Sequence, residues 1–492
     1  MKLPGRNRAS VESSRQAPDG VQPEGWPPTP VQRAMLNLTM LEPGSGRYVQ
    51  QLAWSMSGSV RLELFRAVLV ETMARHECLR AYFGWNEQAE PRLFVARSAT
   101  VALEVREPNQ MLDERPDEVI ASFLAKDRIR GFDLSNPPLW RISIFIWEGR
   151  PVDCVWSFHH ALLDGRAHCL LVAEILTQYA ARNAGQAVEL PPAHPFTEFL
   201  KWHGEQSWDA AADYWACRLK DFIDSPSLPN LAANPEDMGG TELSDMEMIV
   251  LDETATAALR AGARQHGVTL NNLLQGAWAL VLGRYNAVED VAFGVVRAGR
   301  HWGGADPQHR LGLFINTVPF RVDTSPAQVV GAWLNGLREQ QLAARVGERA
   351  SSEQIREWSG LASSSHLWRS ILMFEDADWR EELAGLGENW ILHEKTGLLA
   401  LAAYAGRRLT LTLEYLPGLH PAVQIQTVLE HLRRLLFSLA DAADGLALGE
   451  IEMMTSDERQ LVLGFGTGPP ISPPSKPLVR WLEPVRKGIL TQ

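Results

Sequence analysis

The stretch Val152-Asp153-Cys154-Val155-Trp156-Ser157-Phe158-His159-His160-Ala161-Leu162-Leu163-Asp164-Gly165 runs from a strand pattern directly into a tight turn. Val152, Cys154, Trp156 and Phe158 alternate with Asp153, Val155 and Ser157, the period of a strand with two distinguishable faces. Beyond Gly165, residues Leu170, Leu171, Ile175 and Tyr179 recur at helical spacing and predict a helix over 166–181. A strand, turn and helix in immediate succession hold side chains on a short rigid segment at the edge of a sheet, where active sites are commonly built. Two adjacent histidines followed four residues later by Asp-Gly arise by chance in a chain of this size with a probability on the order of 10⁻³.

Adjacent residues leaving a strand point to opposite faces, so His159 and His160 cannot do the same job. One is expected to face the core or brace the turn, the other a cavity. Asp164 is placed to accept from the first backbone N–H groups of the following helix or to pair with an arginine. Gly165 permits a close backbone approach that a side chain would block. Three readings are open at this point. In one, both histidines are satisfied buried side chains and Asp164 is a helix cap. In another, His160, Asp164 and His168 lie at i, i+4 and i+8 and hold zinc or iron, which requires a continuous helix through Gly165. In the third, an imidazole acts as acid, base or orienting group in acyl transfer.

Working outward, 139–147 pairs with 152–158 as a hairpin through Glu148-Gly149-Arg150-Pro151. A helix over 62–75 carries Leu64, Phe65, Val68, Leu69 and Met73 on one face, and order begins near Thr29, after Trp26-Pro27-Pro28. Residues 183–195 turn to Gly, Pro and small side chains. Past them, Leu270, Leu273, Leu274, Ala277, Trp278 and Val281 mark a further helix, 290–296 and 313–322 read as strands, and 421–439 as a last helix. The fold class is α/β (α+β). The expected organisation is a flexible tail over 1–28, an N-terminal lobe over 29–185, a crossover over 186–195, a C-terminal lobe over 196–463 and a linker-like tail over 464–492.

Composition excludes several classes. The chain has 492 residues, 45% hydrophobic and 22% charged, which is ordinary globular composition. Lys+Arg 47 against Asp+Glu 59 gives a net charge of -12, which repels a polyanion, so no nucleic-acid partner is expected. No apolar run approaches the ~20 residues that cross a bilayer, so no membrane partner is expected either. The 4 cysteines form no C-x-x-C pair, which argues against a disulfide framework or zinc ribbon and fits a reducing, cytoplasmic location.

The heptad His159 to Gly165 matches His-His-x-x-x-Asp-Gly, and the chain resembles the condensation domains of nonribosomal peptide synthetases. Further segments fall in that family's order. They are Thr29-Pro30-Val31-Gln32-Arg33-Ala34-Met35-Leu36, Arg75-His76-Glu77-Cys78-Leu79-Arg80-Ala81-Tyr82-Phe83, Phe132-Asp133-Leu134 with Pro138-Leu139, Asp290-Val291-Ala292-Phe293-Gly294 through Gly299-Arg300, and Gly312-Leu313-Phe314-Ile315-Asn316-Thr317-Val318-Pro319. Segments 340–355 and 397–404 depart from the family pattern. The resemblance implies two chloramphenicol-acetyltransferase-like lobes in a V-shaped pseudo-dimer with a central channel. It implies condensation, the transfer of a carrier-bound acyl or aminoacyl thioester to an acceptor amine or hydroxyl. By that carry-over His160 is catalytic, while His159, Asp164 and Gly165 support the site. Asp164 is expected to pair with Arg80, or alternatively Arg75. Asn316 and Arg297 are channel candidates on the second lobe, with a solvated strand edge or an internal salt-bridge site as the plainer reading of Arg297. No metal is expected.

The chain contains no Gly-Gly-x-Ser carrier motif, no Gly-rich adenylate-forming loop and no Gly-x-Ser-x-Gly elbow. The expected cofactor requirement is therefore none on this chain, with 4′-phosphopantetheine arms supplied by partner carrier proteins at donor and acceptor ends. A free small-molecule amine could replace the acceptor carrier, and an adenylation domain is a possible further partner, since Phe465-Gly466-Thr467-Gly468 resembles the start of the linker that leads to one. Two other functions are carried beside this one: an acyl-CoA-dependent N- or O-acyltransferase, and a catalytically silent recruitment domain.

Overall fold

The computed structural model describes residues 24–107, 115–229, 244–302, 306–393 and 398–466. The expected N-terminal tail through residue 23 and the C-terminal tail from residue 467 lie outside the described residues.

Thirteen strands are described. In the first half they are β1 (Val49–Met56), β2 (Ala81–Trp85), β3 (Pro91–Val95), β4 (Leu103–Arg106), β5 (Trp140–Phe145) and β6 (Val152–His159). The second half supplies β7 (Asp245–Leu251), β8 (Asp290–Arg297), β9 (Asn316–Asp323), β10 (Ser370–Glu375), β11 (Glu388–His393), β12 (Leu399–Ala405) and β13 (Leu409–Tyr415). One five-stranded sheet has the order β11-β1-β6-β5-β4, one six-stranded sheet the order β7-β13-β12-β10-β8-β9, and β2 and β3 form a separate ribbon. The mixed α/β class read from the sequence is what the chain adopts.

The hairpin expected around Gly149 is β5 paired antiparallel with β6, Trp140 opposite Phe158 and Ile142 opposite Trp156. Both faces of β6 are covered. Cys154, Trp156 and Phe158 point into the first large core, while Val155 packs in a smaller cluster with Phe145, Trp147 and Leu124 of the helix Pro116–Arg130. Phe65, Val68, Leu69 and Met73 of the helix Leu62–Arg75 close the first core from one side. The second core forms where the helices Leu270–Asn286 and Ala422–Ala440 lay Trp278, Val281, Leu432 and Leu435 against the six-stranded sheet. Reciprocal capping boxes fix several helix starts, among them Thr29 with Gln32 and Thr269 with Asn272, each satisfying two otherwise unpaired backbone donors. Asp164 caps the helix Gly165–Asn183, its carboxylate accepting from the Ala167 N–H.

Strand pairing and packing join the two halves of the chain. β11 belongs by sequence to the second half, yet it pairs antiparallel with β1, Leu52 opposite Leu392 and Gln51 opposite His393. Trp54 and Trp390 stack across that pair with ring centroids 5.4 Å apart, and Arg128 donates to the carbonyl of His393 at 2.9 Å. Phe196 and Phe199, just past the expected crossover, pack in the first core together with Phe314. β11 is a partly exposed edge strand, Ile391 being 51% exposed. Its own pattern therefore carries no sign of which sheet it joins, and cross-strand partners settle the matter.

Candidate functional site

The heptad lies where β6 ends and the helix Gly165–Asn183 begins, at a cavity of about 570 Å³ whose wall draws on both halves of the chain. From the first half come Met35, Leu38, Tyr48, His160, Gly165 and His168; from the second, Asn316, Ile371, Met373, Glu375, Leu392 and Tyr404. The lining is mainly apolar with a few convergent polar groups, the usual character of a small-molecule site.

The two histidines part company as their alternation requires. His159 turns into the core and is 1% exposed. Its Nδ1 accepts from the Ala161 N–H at 3.2 Å, which puts the ring proton on Nε2. That Nε2–H donates to Thr39 Oγ1 at 3.0 Å, and Thr39 donates onward to the carbonyl of Met35 at 2.9 Å. Burial, with His160 adding in the same direction, holds its pKa down to about 3, so the ring is neutral and fully used. His160 is half-buried and lines the cavity. Its Nδ1 lies 2.9 Å from the carbonyl oxygen of Leu163. A carbonyl only accepts, so Nδ1 carries the proton and Nε2 keeps a lone pair. Nε2 hydrogen-bonds nothing among the described residues. Burial lowers the pKa of this ring below the ordinary histidine value, against the opposing pull of the Leu163 carbonyl and Asp164, so the neutral base form prevails at neutral pH.

Asp164 is 1% exposed and spends both oxygens on structure. Oδ1 accepts from Ala167 N–H at 2.8 Å and from Arg300 Nη2 at 2.7 Å, and Oδ2 accepts from Phe314 N–H at 3.0 Å. Its own N–H donates to the carbonyl of Gly312 at 3.1 Å. Arg300 is 3% exposed, donates also to the carbonyls of Pro307 and Arg310, and lies 4.6 Å from the Phe314 ring centroid. Asp164 thus clamps the first half to the 300–314 segment of the second. A buried pair with both carboxylate oxygens and both terminal guanidinium nitrogens engaged avoids the penalty of an isolated buried charge.

This corrects the expected arginine. Arg80 does not reach Asp164; its guanidinium donates to the carbonyls of Met73, Ala74 and Ala96, closing the C-terminal end of the helix Leu62–Arg75. Arg75 pairs with Glu174 at 3.3 Å. The partner of Asp164 is Arg300, 136 positions later in the chain, where spacing carries no signal. Gly165 stands close to the opposite wall: a Cβ on it would meet Glu375 Oε1 at 3.8 Å.

The two candidates on the second half separate. Asn316 lies in the cavity wall, and its Nδ2 donates to the carbonyls of Glu348 and Ala350, each at 2.8 Å, which supplies the partner a buried amide needs. Arg297, opposite Asn316 in the β8–β9 register, is ion-paired with Glu348 at 3.1 Å and is not part of the cavity wall. The metal arrangement also fails. The helix begins at Gly165, so Asp164 is its cap, with its oxygens committed as above. Among the described residues no group of three or more His, Cys, Asp or Glu side chains could hold a metal ion. Cys169 lines the cavity as well, but burial drives its thiol well above the ordinary range and leaves it protonated.

Sequence reading missed Glu375 and weighed His168 only as a metal ligand. Glu375 ends the apolar strand β10 and lines the cavity, and burial, with Asp164 adding, pushes its carboxyl up to about 7. A carboxylate closing an otherwise apolar strand, Ser370-Ile371-Leu372-Met373-Phe374-Glu375, was the available signal.

Comparison with known proteins agrees with this architecture. The family model described as Condensation domain matches residues 24–463. One of the proteins that make up the linear gramicidin synthase of Brevibacillus parabrevis is 31% identical over 453 residues, covering 88% of this chain and 9% of the relative. Bacitracin synthase 3 of Bacillus licheniformis is 27% identical over 449 residues, covering 89% of this chain and 7% of the relative. The chain therefore spans under a tenth of the length of these relatives. Among solved structures, the first condensation domain of the calcium-dependent antibiotic synthetase in complex with substrate analogue 2a superposes with a TM-score of 0.70 at 18% identity, covering 87% of this chain and 99% of that one. The X-domain from teicoplanin biosynthesis gives 0.72 at 21%, covering 88% and 98%. At these identities the structures speak to the fold alone.

Proposed function

The chain belongs to the condensation domain family, and from that premise we propose that it joins two tethered reactants: an acyl or aminoacyl group passes from a carrier-bound thioester to the amine of an acceptor, forming an amide. The 4′-phosphopantetheine arms belong to partner carrier proteins, loaded in turn by adenylation domains, and are substrate to this chain. One observation carries the reading: a neutral imidazole, His160, with Nδ1–H held by the Leu163 carbonyl and Nε2 unengaged, in a cavity that both halves of the chain line.

The chemistry asks for positioning first. A thioester is already activated, and an α-amine with pKa near 8 is partly neutral at physiological pH. The acceptor nitrogen attacks the thioester carbonyl as its extra proton passes to His160 Nε2. The tetrahedral intermediate then expels the pantetheine thiolate, which takes that proton and regenerates the neutral ring. Asp164 cannot take part in proton transfer with both oxygens committed to Arg300 and to backbone donors. Its role is to hold the turn on which His160 sits.

Intact-mass measurement of loaded donor and acceptor carriers, with and without the chain, tests the reading. Movement of the donor's acyl mass onto the acceptor is expected. Transfer from acyl-CoA with none from any carrier would replace it with a CoA-dependent acyltransferase, and carrier binding without transfer from either donor would replace it with a recruitment role.

A further inference from the structure

Around the first turn of the helix Gly165–Asn183, three groups able to accept a hydrogen bond are left without one. His168 is 1% exposed and lines the cavity, yet neither ring nitrogen has a hydrogen-bond partner among the described residues. The large majority of buried side-chain polar atoms in native structures are satisfied, as those of His159 are, by protein, ligand or water. Glu375, on the opposite wall, brings Oε1 to 3.8 Å from where a Gly165 Cβ would stand, and its carboxylate hydrogen-bonds nothing among the described residues. The third group is His160 Nε2.

The cations near Glu375 are each paired with another carboxylate. Arg166 is paired with Glu382 and Arg300 with Asp164. Burial opposes the ionisation of Glu375, and so do the carboxylates of Asp164 and Glu382, against the weaker opposing pull of Arg300 and Arg166. A cation brought in by a ligand would relieve this. The ligand that fits is small, carries one positive charge and offers up to three N–H donors to three acceptors. An alcohol offers one donor and no charge.

We propose that Glu375 and His168, together with His160, form a subsite for a primary ammonium, through which the chain selects amine over hydroxyl acceptors. The proposal rests on the condensation reading and deepens it by naming the side chains that recognise the acceptor's amine. It also gives the second half of the chain a substrate-binding side chain of its own, set across the cavity from the heptad.

The test is equilibrium binding, which needs no donor. Calorimetric titration of the full chain with butylammonium chloride and with 1-butanol compares two probes of the same length that differ in the polar head. Butylammonium should bind the wild type at least ~10-fold more tightly than butanol, the scale of one charge-assisted hydrogen bond. Glu375→Gln should erase that preference and Glu375→Asp should restore part of it, a rescue that a merely structural role would not produce. His168→Leu should weaken butylammonium ~3-fold or more while His168→Asn, which keeps an acceptor, loses less. Equal binding of the two probes by the wild type, no binding of either, or a preference that survives in Glu375→Gln with native circular dichroism would each overturn the proposal. If Glu375→Gln does not fold, the wild-type comparison and the His168 pair decide. Ammonium preference without carrier-to-carrier transfer would remove the proposed function and leave this subsite standing; transfer without the preference would do the reverse.

Discussion

The core side and the cavity side of the 159–168 junction treat the same residue type in opposite ways. On the core side His159 has both ring nitrogens engaged, by the Ala161 N–H and by Thr39, and Asp164 has both oxygens engaged, by Arg300 and two backbone amides. On the cavity side His160 leaves Nε2 open, and neither ring nitrogen of His168 has a hydrogen-bond partner among the described residues. Both sides are poorly exposed, so burial alone does not separate them. What separates them is hydrogen-bond accounting: the core-side groups are engaged and hold the structure, and the cavity-side acceptors are left open to a ligand.

The hardest blow to the core side is Asp164→Ala. It strands Arg300 in the interior without its counter-charge, and chemical denaturation should show a loss of about 3–5 kcal/mol. Replacing both partners together, Asp164→Leu with Arg300→Met, should recover part of that loss; a double variant as unstable as the single one would mean that the charge is not what the clamp contributes. On the cavity side His160→Ala should lower carrier-to-carrier condensation by ~10²-fold or more, with the denaturation midpoint nearly unchanged. Near-normal turnover would erase the distinction between the two histidines.

Acid sharpens the contrast next. The unfolded chain binds protons at His159 and His168 below the ordinary value near 6.5, whereas the folded chain resists until about 3 and about 4 respectively. Stability at these positions is complete above pH 6.5 and is lost as pH falls through that window, by up to about 1.4 kcal/mol per pH unit for each histidine. Denaturation at about pH 7 and about pH 5 should show the drop, and His159→Asn should reduce the slope by close to one proton. The mildest expected effect is Thr39→Val, which removes the acceptor of the His159 Nε2–H and should cost about 1 kcal/mol without changing turnover. A large loss of activity there would mean that His159 reports to the cavity after all.

Much of this was open to inspection in the sequence. The β5–β6 hairpin, the helices read over 62–75 and 166–181 and marked by Leu270 to Val281, and the mixed α/β class follow from local periodicity, because a period of two or of 3.6 is written into neighbouring residues. The strand read over 313–322 starts only at Asn316, since residues 313–315 are turned toward Asp164 and the cavity instead, with the Phe314 N–H donating to its carboxylate. The strand β10 was not read, and with it Glu375 was missed.

The sequence by itself determined that His159 and His160 must face opposite ways and that a cap must follow them, since pleat geometry and helix-end donors are local. Only the tertiary structure decided that Asp164 answers to Arg300 and not Arg80, that β11 completes the first sheet from the second half, and that Glu375 and His168 meet at one cavity. Each of those is a contact between residues far apart in the chain or a missing contact inside the fold. Spacing encodes neither, because it is the packing of the whole molecule that determines which buried groups find partners.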